Sequence, residues 1–150
     1  MDRNPGFNDG PLPLMSGISG LWLPQQQIIT LQNTLKHISE VDETGFEQLV
    51  VTRSHEIPVL LDIGADWCAP CNVLTPRLEK LVREYDGKFL LAKVDADENM
   101  RIAGRHKVRG FPTVIAYSYG QETDRFHSAQ PDSFLRNFID KLIEHHQAKA

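Results

Sequence analysis

Cys68 and Cys71 are the only cysteines in the 150 residues, and just two positions separate them. That spacing excludes a scaffold of several disulfides and leaves nothing to staple distant segments, so an ordinary apolar core must hold the fold. The flanking sequence narrows the possibilities further. Before the pair, residues 58–63 form an almost unbroken apolar run, which predicts a strand buried on both faces by helices. Asp62 inside that run is conspicuous. After the pair, Leu74, Leu78, Leu81, Val82 and Tyr85 recur at helical spacing, predicting a helix over 68–85 with a kink at Pro76. The cysteines thus stand where a buried strand turns into a helix.

That position has a chemical consequence. At a helix N-terminus, unpaired N–H groups and the positive end of the dipole stabilise a thiolate, which makes Cys68 the attacking sulfur. Cys71 lies one turn deeper on nearly the same face, placed to attack a mixed disulfide formed on Cys68. Other uses of the pair can be weighed. A structural zinc site wants four ligands, whereas no second Cys-x-x-Cys exists and His55, His106, His145 and His146 have no metal-ligand spacing. Covalent haem attachment wants a histidine where Asn72 stands. A purely structural disulfide remains open at this point, although it would not explain Trp67 and Pro70.

Elsewhere the pattern alternates strands and helices. Strands are predicted over 36–41, 89–94, 113–118 and 123–127, the last two joined by a turn at 119–121. Helices are predicted over 44–52, capped by Asp42 or Thr44, over 98–106, and from 131 or 132 to about 145. The order β-α-β-α-β-α-β-β-α describes an α/β fold with a central mixed sheet flanked by helices on both sides. Residues 1–34 differ in texture, with Pro5, Pro11, Pro13, Pro24, Gly6, Gly10, Gly17 and Gly20 breaking any period. They are expected to form a flexible extension to a domain at 35–150. Ile28, Ile29, Leu31 and Leu35 could make one apolar face of a helix over 25–36.

Sixteen basic against twenty acidic residues give a net charge of −4 without long like-charge runs, which argues against nucleic acid as a partner. No apolar stretch reaches the roughly 20 residues that span a bilayer. Asp2, Asp9 and the interrupting Pro13, Gly17 and Gly20 make the N-terminus a poor export leader, so the cytoplasm is the expected compartment.

Four stretches carry a family resemblance: Val59-Leu60-Leu61-Asp62, Ala65-Asp66-Trp67-Cys68-Ala69-Pro70-Cys71, Ala92-Lys93-Val94-Asp95, and Val108-Arg109-Gly110-Phe111-Pro112-Thr113. From about His37 to Glu144 the chain resembles the thioredoxins. The resemblance implies a thioredoxin fold and thiol–disulfide exchange, with a redox-active Cys68–Cys71 disulfide in place of any cofactor. Asp62 matches the buried carboxylate that helps deprotonate Cys71, and Lys93 matches its basic neighbour; burial should raise the Asp62 pKa while Lys93 opposes the shift. Pro112 matches a cis-proline beside the sulfurs, and Phe111 would offer main-chain hydrogen bonds to an extended client. Trp67, Ala69, Pro70, Gly110 and Ser128 complete the implied client surface.

The implied partners are disulfide-containing proteins and a disulfide reductase as electron donor, and the implied state is a monomer. The chain departs from the family pattern at four positions. Ala69 and Ser128 stand where glycines are usual, Asn72 where lysine is common, and Gly64 where a bulky aromatic is usual. The leading expectation is protein-disulfide reduction, since Pro70 lacks the thiolate-stabilising effect of a histidine before the second cysteine. The alternative is a thioredoxin-fold binding module or redox-linked chaperone that grips one partner.

Overall fold

The computed structural model describes residues 24–28 and 36–150. The chain divides into two units, Met1–Gln32 and Asn33–Ala150. In the first, residues 25–28 form a helical turn in which the N–H groups of Gln27 and Ile28 donate to the Pro24 carbonyl. The rest of the helix expected over 25–36, apart from a turn at Lys36 and His37, and the extension before Pro24 lie outside the described residues.

The described residues of the second unit contain five strands: β1 (Ile38–Glu40), β2 (Val59–Gly64), β3 (Leu90–Asp95), β4 (Thr113–Ser118) and β5 (Gln121–His127). Their order in the sheet is β1-β3-β2-β4-β5. β1, β3 and β2 run parallel, and β4 pairs antiparallel with both β2 and β5, so the sheet is mixed as the sequence predicts. Three α-helices accompany it: α1 (Ala69–Tyr85), α2 (Met100–Arg105) and α3 (Asp132–Ala148). Side-chain alternation on the inner strands feeds two cores. Leu60, Leu91 and Val114 face α1 and α3, packing with Leu74, Leu78, Leu135 and Ile139. Leu61, Ala92 and Ile115 face the other way, onto Phe46, Val50 and Ile102. At the outer edge, β5 presents exposed Gln121, Glu122, Thr123 and Asp124, while Arg125 holds Glu122 at 2.6 Å.

Several element ends differ from expectation, each for a local reason. The segment expected as a helix over 44–52 begins as a turn in which the Gly45 N–H donates to Asp42 Oδ1 at 2.8 Å. It continues as a π-helix, Glu47–Thr52, and a 3-10 turn, Arg53–His55. β2 starts at Val59 because Pro58 has no N–H, though its carbonyl still accepts from Leu90. No break appears at Pro76: the carbonyl left without an amide is that of Asn72, an exposed residue, and α1 continues to Tyr85. α3 runs on to Ala148 because His146 is anchored, with Nδ1 2.8 Å from Ser118 Oγ and its ring stacked on Tyr119.

Candidate active site

β2 ends at Gly64, whose carbonyl accepts the Ala96 N–H at 2.8 Å. The Cys68 N–H donates to the Ala65 carbonyl at 3.1 Å, closing the turn that brings Trp67 and Cys68 to the helix start. Cys68 is the N-cap of α1, in extended conformation, and its sulfur accepts the Cys71 N–H at 3.2 Å. Pro70 falls in the first helical turn, where an N–H would have no partner within the helix. Cys68 and Cys71 are joined as a disulfide with Cα atoms 5.3 Å apart, and both are buried.

Asp62 lies beneath this turn. Strand alternation puts it on the same face as Leu60, and the parallel register sets it beside Lys93. It is 4% exposed. Its Oδ2 accepts the Thr75 hydroxyl at 2.7 Å, whereas Oδ1 has no hydrogen-bond partner among the described residues. Burial raises its pKa to about 6, against the opposing pull of the Thr75 hydrogen bond and the Lys93 charge. The Lys93 ammonium itself is paired with Glu79 at 2.8 Å. Asp62, Cys71, Thr75, Lys93 and Gly64 share the wall of one cavity of about 430 Å³.

On the outer side of the disulfide, the Phe111–Pro112 bond is cis and Phe111 packs on Ala65, Cys68 and Cys71. Trp67 is 68% exposed. Its ring stands edge-on to Phe111 at 5.8 Å, and its Nε1 donates to Asp97 Oδ2 at 2.7 Å. Gly110 is exposed with open space where a side chain would begin. The Ser128 N–H donates to the Pro112 carbonyl at 3.1 Å, and Ser128 holds φ = 70°, a left-handed conformation that glycine adopts most easily. Ala69 and Pro70 are exposed on the first turn of α1. All eleven site residues named from the sequence therefore fall within two adjoining groups, one outside the disulfide and one beneath it.

Three residues of the site escaped the sequence reading: Thr75, Glu79 and Asp97. The first two had a signal. Cys71, Thr75 and Glu79 are spaced i, i+4, i+8, a polar stripe on a helix whose other inward positions are Leu74, Leu78, Leu81 and Val82. Asp97 gave none, because its contact with Trp67 spans 30 residues between two loops.

This geometry suits thiol–disulfide exchange. One sulfur sits at the helix start, and the other shares a cavity wall with a carboxyl group able to take a proton near neutral pH. Among the described residues no group of three or more His, Cys, Asp or Glu side chains could hold a metal ion. No helix among them is long and apolar enough to cross a membrane.

Comparison with known proteins points the same way. The family model described as Thioredoxin matches residues 37–141. Mitochondrial thioredoxin of Mus musculus is 35% identical over 141 residues, covering 94% of this chain and 80% of that protein. Thioredoxin 1 of Nostoc sp. is 32% identical over 105 residues, covering 70% of this chain and 96% of the relative. The chloroplastic M-type thioredoxin of Spinacia oleracea is 31% identical over 109 residues, covering 73% of this chain and 59% of that protein. With its sheet order, its cysteine pair and these matches in agreement, the chain belongs to the thioredoxin family and is a thiol–disulfide oxidoreductase that works through its own disulfide rather than a cofactor.

Proposed function

We propose that the protein reduces disulfides in protein clients by a two-step relay. The Cys68 thiolate attacks a client disulfide, forming a Cys68–client bond and releasing the first client sulfur as a thiolate. Cys71 then gives its proton to Asp62 and attacks the Cys68 sulfur, which releases the second client sulfur and leaves the Cys68–Cys71 disulfide. The observation that supports this direction best is the pairing of the Cys71 N–H with Cys68 Sγ, set above a buried carboxyl of raised pKa. Lys93, held by Glu79, tempers that carboxyl. Trp67, Ala69, Pro70, Gly110, Phe111, Pro112 and Ser128 form the surface against which the client lies, and a disulfide reductase returns the pair to its dithiol.

The relay needs a reducing compartment and one copy of the chain. The cytoplasm, expected from the sequence, meets that need, and so does an organelle interior of the kind named for the mouse and spinach relatives. Residues 1–34 are an appendage to the catalytic domain at 35–150, so locating the tagged chain with and without them decides between the two.

The decisive experiment equilibrates the pair against glutathione and reads it by thiol trapping, with Cys71→Ser to arrest mixed disulfides on Cys68. A strongly reducing pair that turns over insulin disulfides, with or without residues 1–34, is expected. A pair that stays oxidised under reducing conditions and captures no client would sink the reading and leave a binding module.

A further inference from the structure

Thr75 follows Cys71 by four residues on α1, so the two side chains share one face of the helix, a turn apart. Asp62 lies against that face, and the half-buried Thr75 donates its hydroxyl to Asp62 Oδ2 at 2.7 Å. The hydroxyl has one proton to give. A threonine inside a helix can direct it to the carbonyl one turn back, here that of Cys71. Directed to Asp62 instead, it makes the one hydrogen bond that holds this carboxyl among the described residues.

The two carboxyl oxygens are therefore unlike. Oδ2 has a donor, whereas Oδ1 is buried and has no hydrogen-bond partner among the described residues. An aspartate carboxyl free at both oxygens turns broadly about its last bond, and the Thr75 contact restrains that turn. The charged groups around it supply no second anchor. Lys93 of β3 stands beside Asp62 in register, but its ammonium is held by Glu79 of α1 at 2.8 Å. The β4 neighbour in register is the apolar Val114. Glu40 of β1, Asp95 of β3 and the loop residues Asp66 and Glu98 line the cavity shared by Asp62 and Cys71, and when ionised all four only accept hydrogen bonds.

We infer that Thr75 is a positioning residue for proton transfer between Cys71 and Asp62, its hydroxyl fixing Oδ2 and keeping Oδ1 open to the Cys71 proton. The inference rests on the relay proposed above. In the resolving step the Cys71 S–H bond breaks and its proton bonds to Oδ1. The Cys71 sulfur bonds to Cys68, and the Cys68–client bond breaks with its electron pair leaving on the client sulfur. The Thr75 contact survives this transfer, because Oδ2 remains an acceptor in the neutral acid, but it is stronger to the carboxylate. It therefore keeps Asp62 ionised, and ready to accept, down to lower pH. Burial raises the Asp62 pKa to about 6 even with this hydrogen bond in place, and loss of the hydroxyl raises it further.

The test reads the resolving step in reverse. When dithiothreitol attacks Cys68 of the oxidised full-length chain, Cys71 leaves as a thiolate and takes a proton back from Asp62. The rate per dithiothreitol thiolate should be level in acid and fall as Asp62 ionises, with a wild-type midpoint near pH 6. Thr75→Val should move that midpoint up by about one pH unit, and carbon NMR of the Asp62 carboxyl in the oxidised chain should show the same displacement. Thr75→Ser keeps the hydroxyl and should restore most of the wild-type midpoint by both readouts. Thr75→Ala carries the same expectation as Thr75→Val and replaces it if valine disturbs folding. A midpoint unmoved without the hydroxyl, or moved as far by Thr75→Ser, would overturn the inference and leave the reductase reading intact. A wild-type midpoint that persists in Asp62→Asn would remove Asp62 from the relay, and this inference with it. Failure of the dithiothreitol-reduced wild type to reduce insulin would instead overturn the reductase reading.

Discussion

At the scale of single residues, the proposed relay uses a carboxyl group that the fold keeps at a disadvantage. Asp62 holds its proton more tightly in the folded chain, with a pKa near 6 against 3.8 for a free aspartate. Its contribution to stability is therefore fully present below pH 3.8 and is lost as the pH rises through 6. Asp62→Asn removes the ionisation while keeping an acceptor for Thr75. The oxidised variant should gain on the order of 2–3 kcal/mol at pH 7 and little at pH 4 in urea denaturation, and should reduce clients more slowly. Ser128 is a second residue under constraint, with φ = 70°. Ser128→Gly should raise stability by roughly 0.5–1 kcal/mol, read as a higher urea midpoint with unchanged slope. Both positions were legible from the sequence, Asp62 as a charge inside an apolar run and Ser128 through the family resemblance. The spacing of Glu79 marks it as part of a polar stripe on α1, but not as the charge partner of Lys93, which it becomes only when that helix packs on β3.

At the scale of elements, the inner strands and long helices could be read because apolar periodicity alone defines them. The short elements could not be placed as well, because single side chains decide where they begin and end. Asp42 turns the start of the first helical segment, and a buried histidine extends the last helix by a turn. α2 is likewise fixed by His106, whose Nδ1 meets the Ile102 carbonyl at 2.8 Å and whose Nε2 meets the Tyr117 hydroxyl at 2.6 Å. A neutral ring satisfies both contacts when Nδ1 donates and Nε2 accepts. Tyr117→Phe keeps the ring packing against Phe46 and strands the buried Nε2. A loss of about 1–2 kcal/mol is expected, measured as a lower urea midpoint, with faster amide exchange across α2.

At the scale of the whole molecule, the buried groups Asp62 and His106 act in opposite senses. Burial lowers the His106 pKa from 6.5, so the unfolded chain takes up that proton more readily and stability is lost as the pH falls below 6.5. Asp62 gains stability over the interval from pH 6 down to 3.8. The two effects should therefore oppose each other as the wild type is acidified, and Asp62→Asn should make the decline with acid steeper. A decline no steeper in the variant would show that another group supplies the compensation.

The outer strand carries a different implication, for behaviour in a crowded solution. β5 ends the sheet with a row of exposed polar and charged residues, Gln121 to Asp124, and an Arg125–Glu122 clasp. A second molecule aligning its own border there would have to strip those charges of water to continue the ladder. The ladder therefore stops at this border, and the protein should stay dispersed at concentrations where an apolar border would seed fibres.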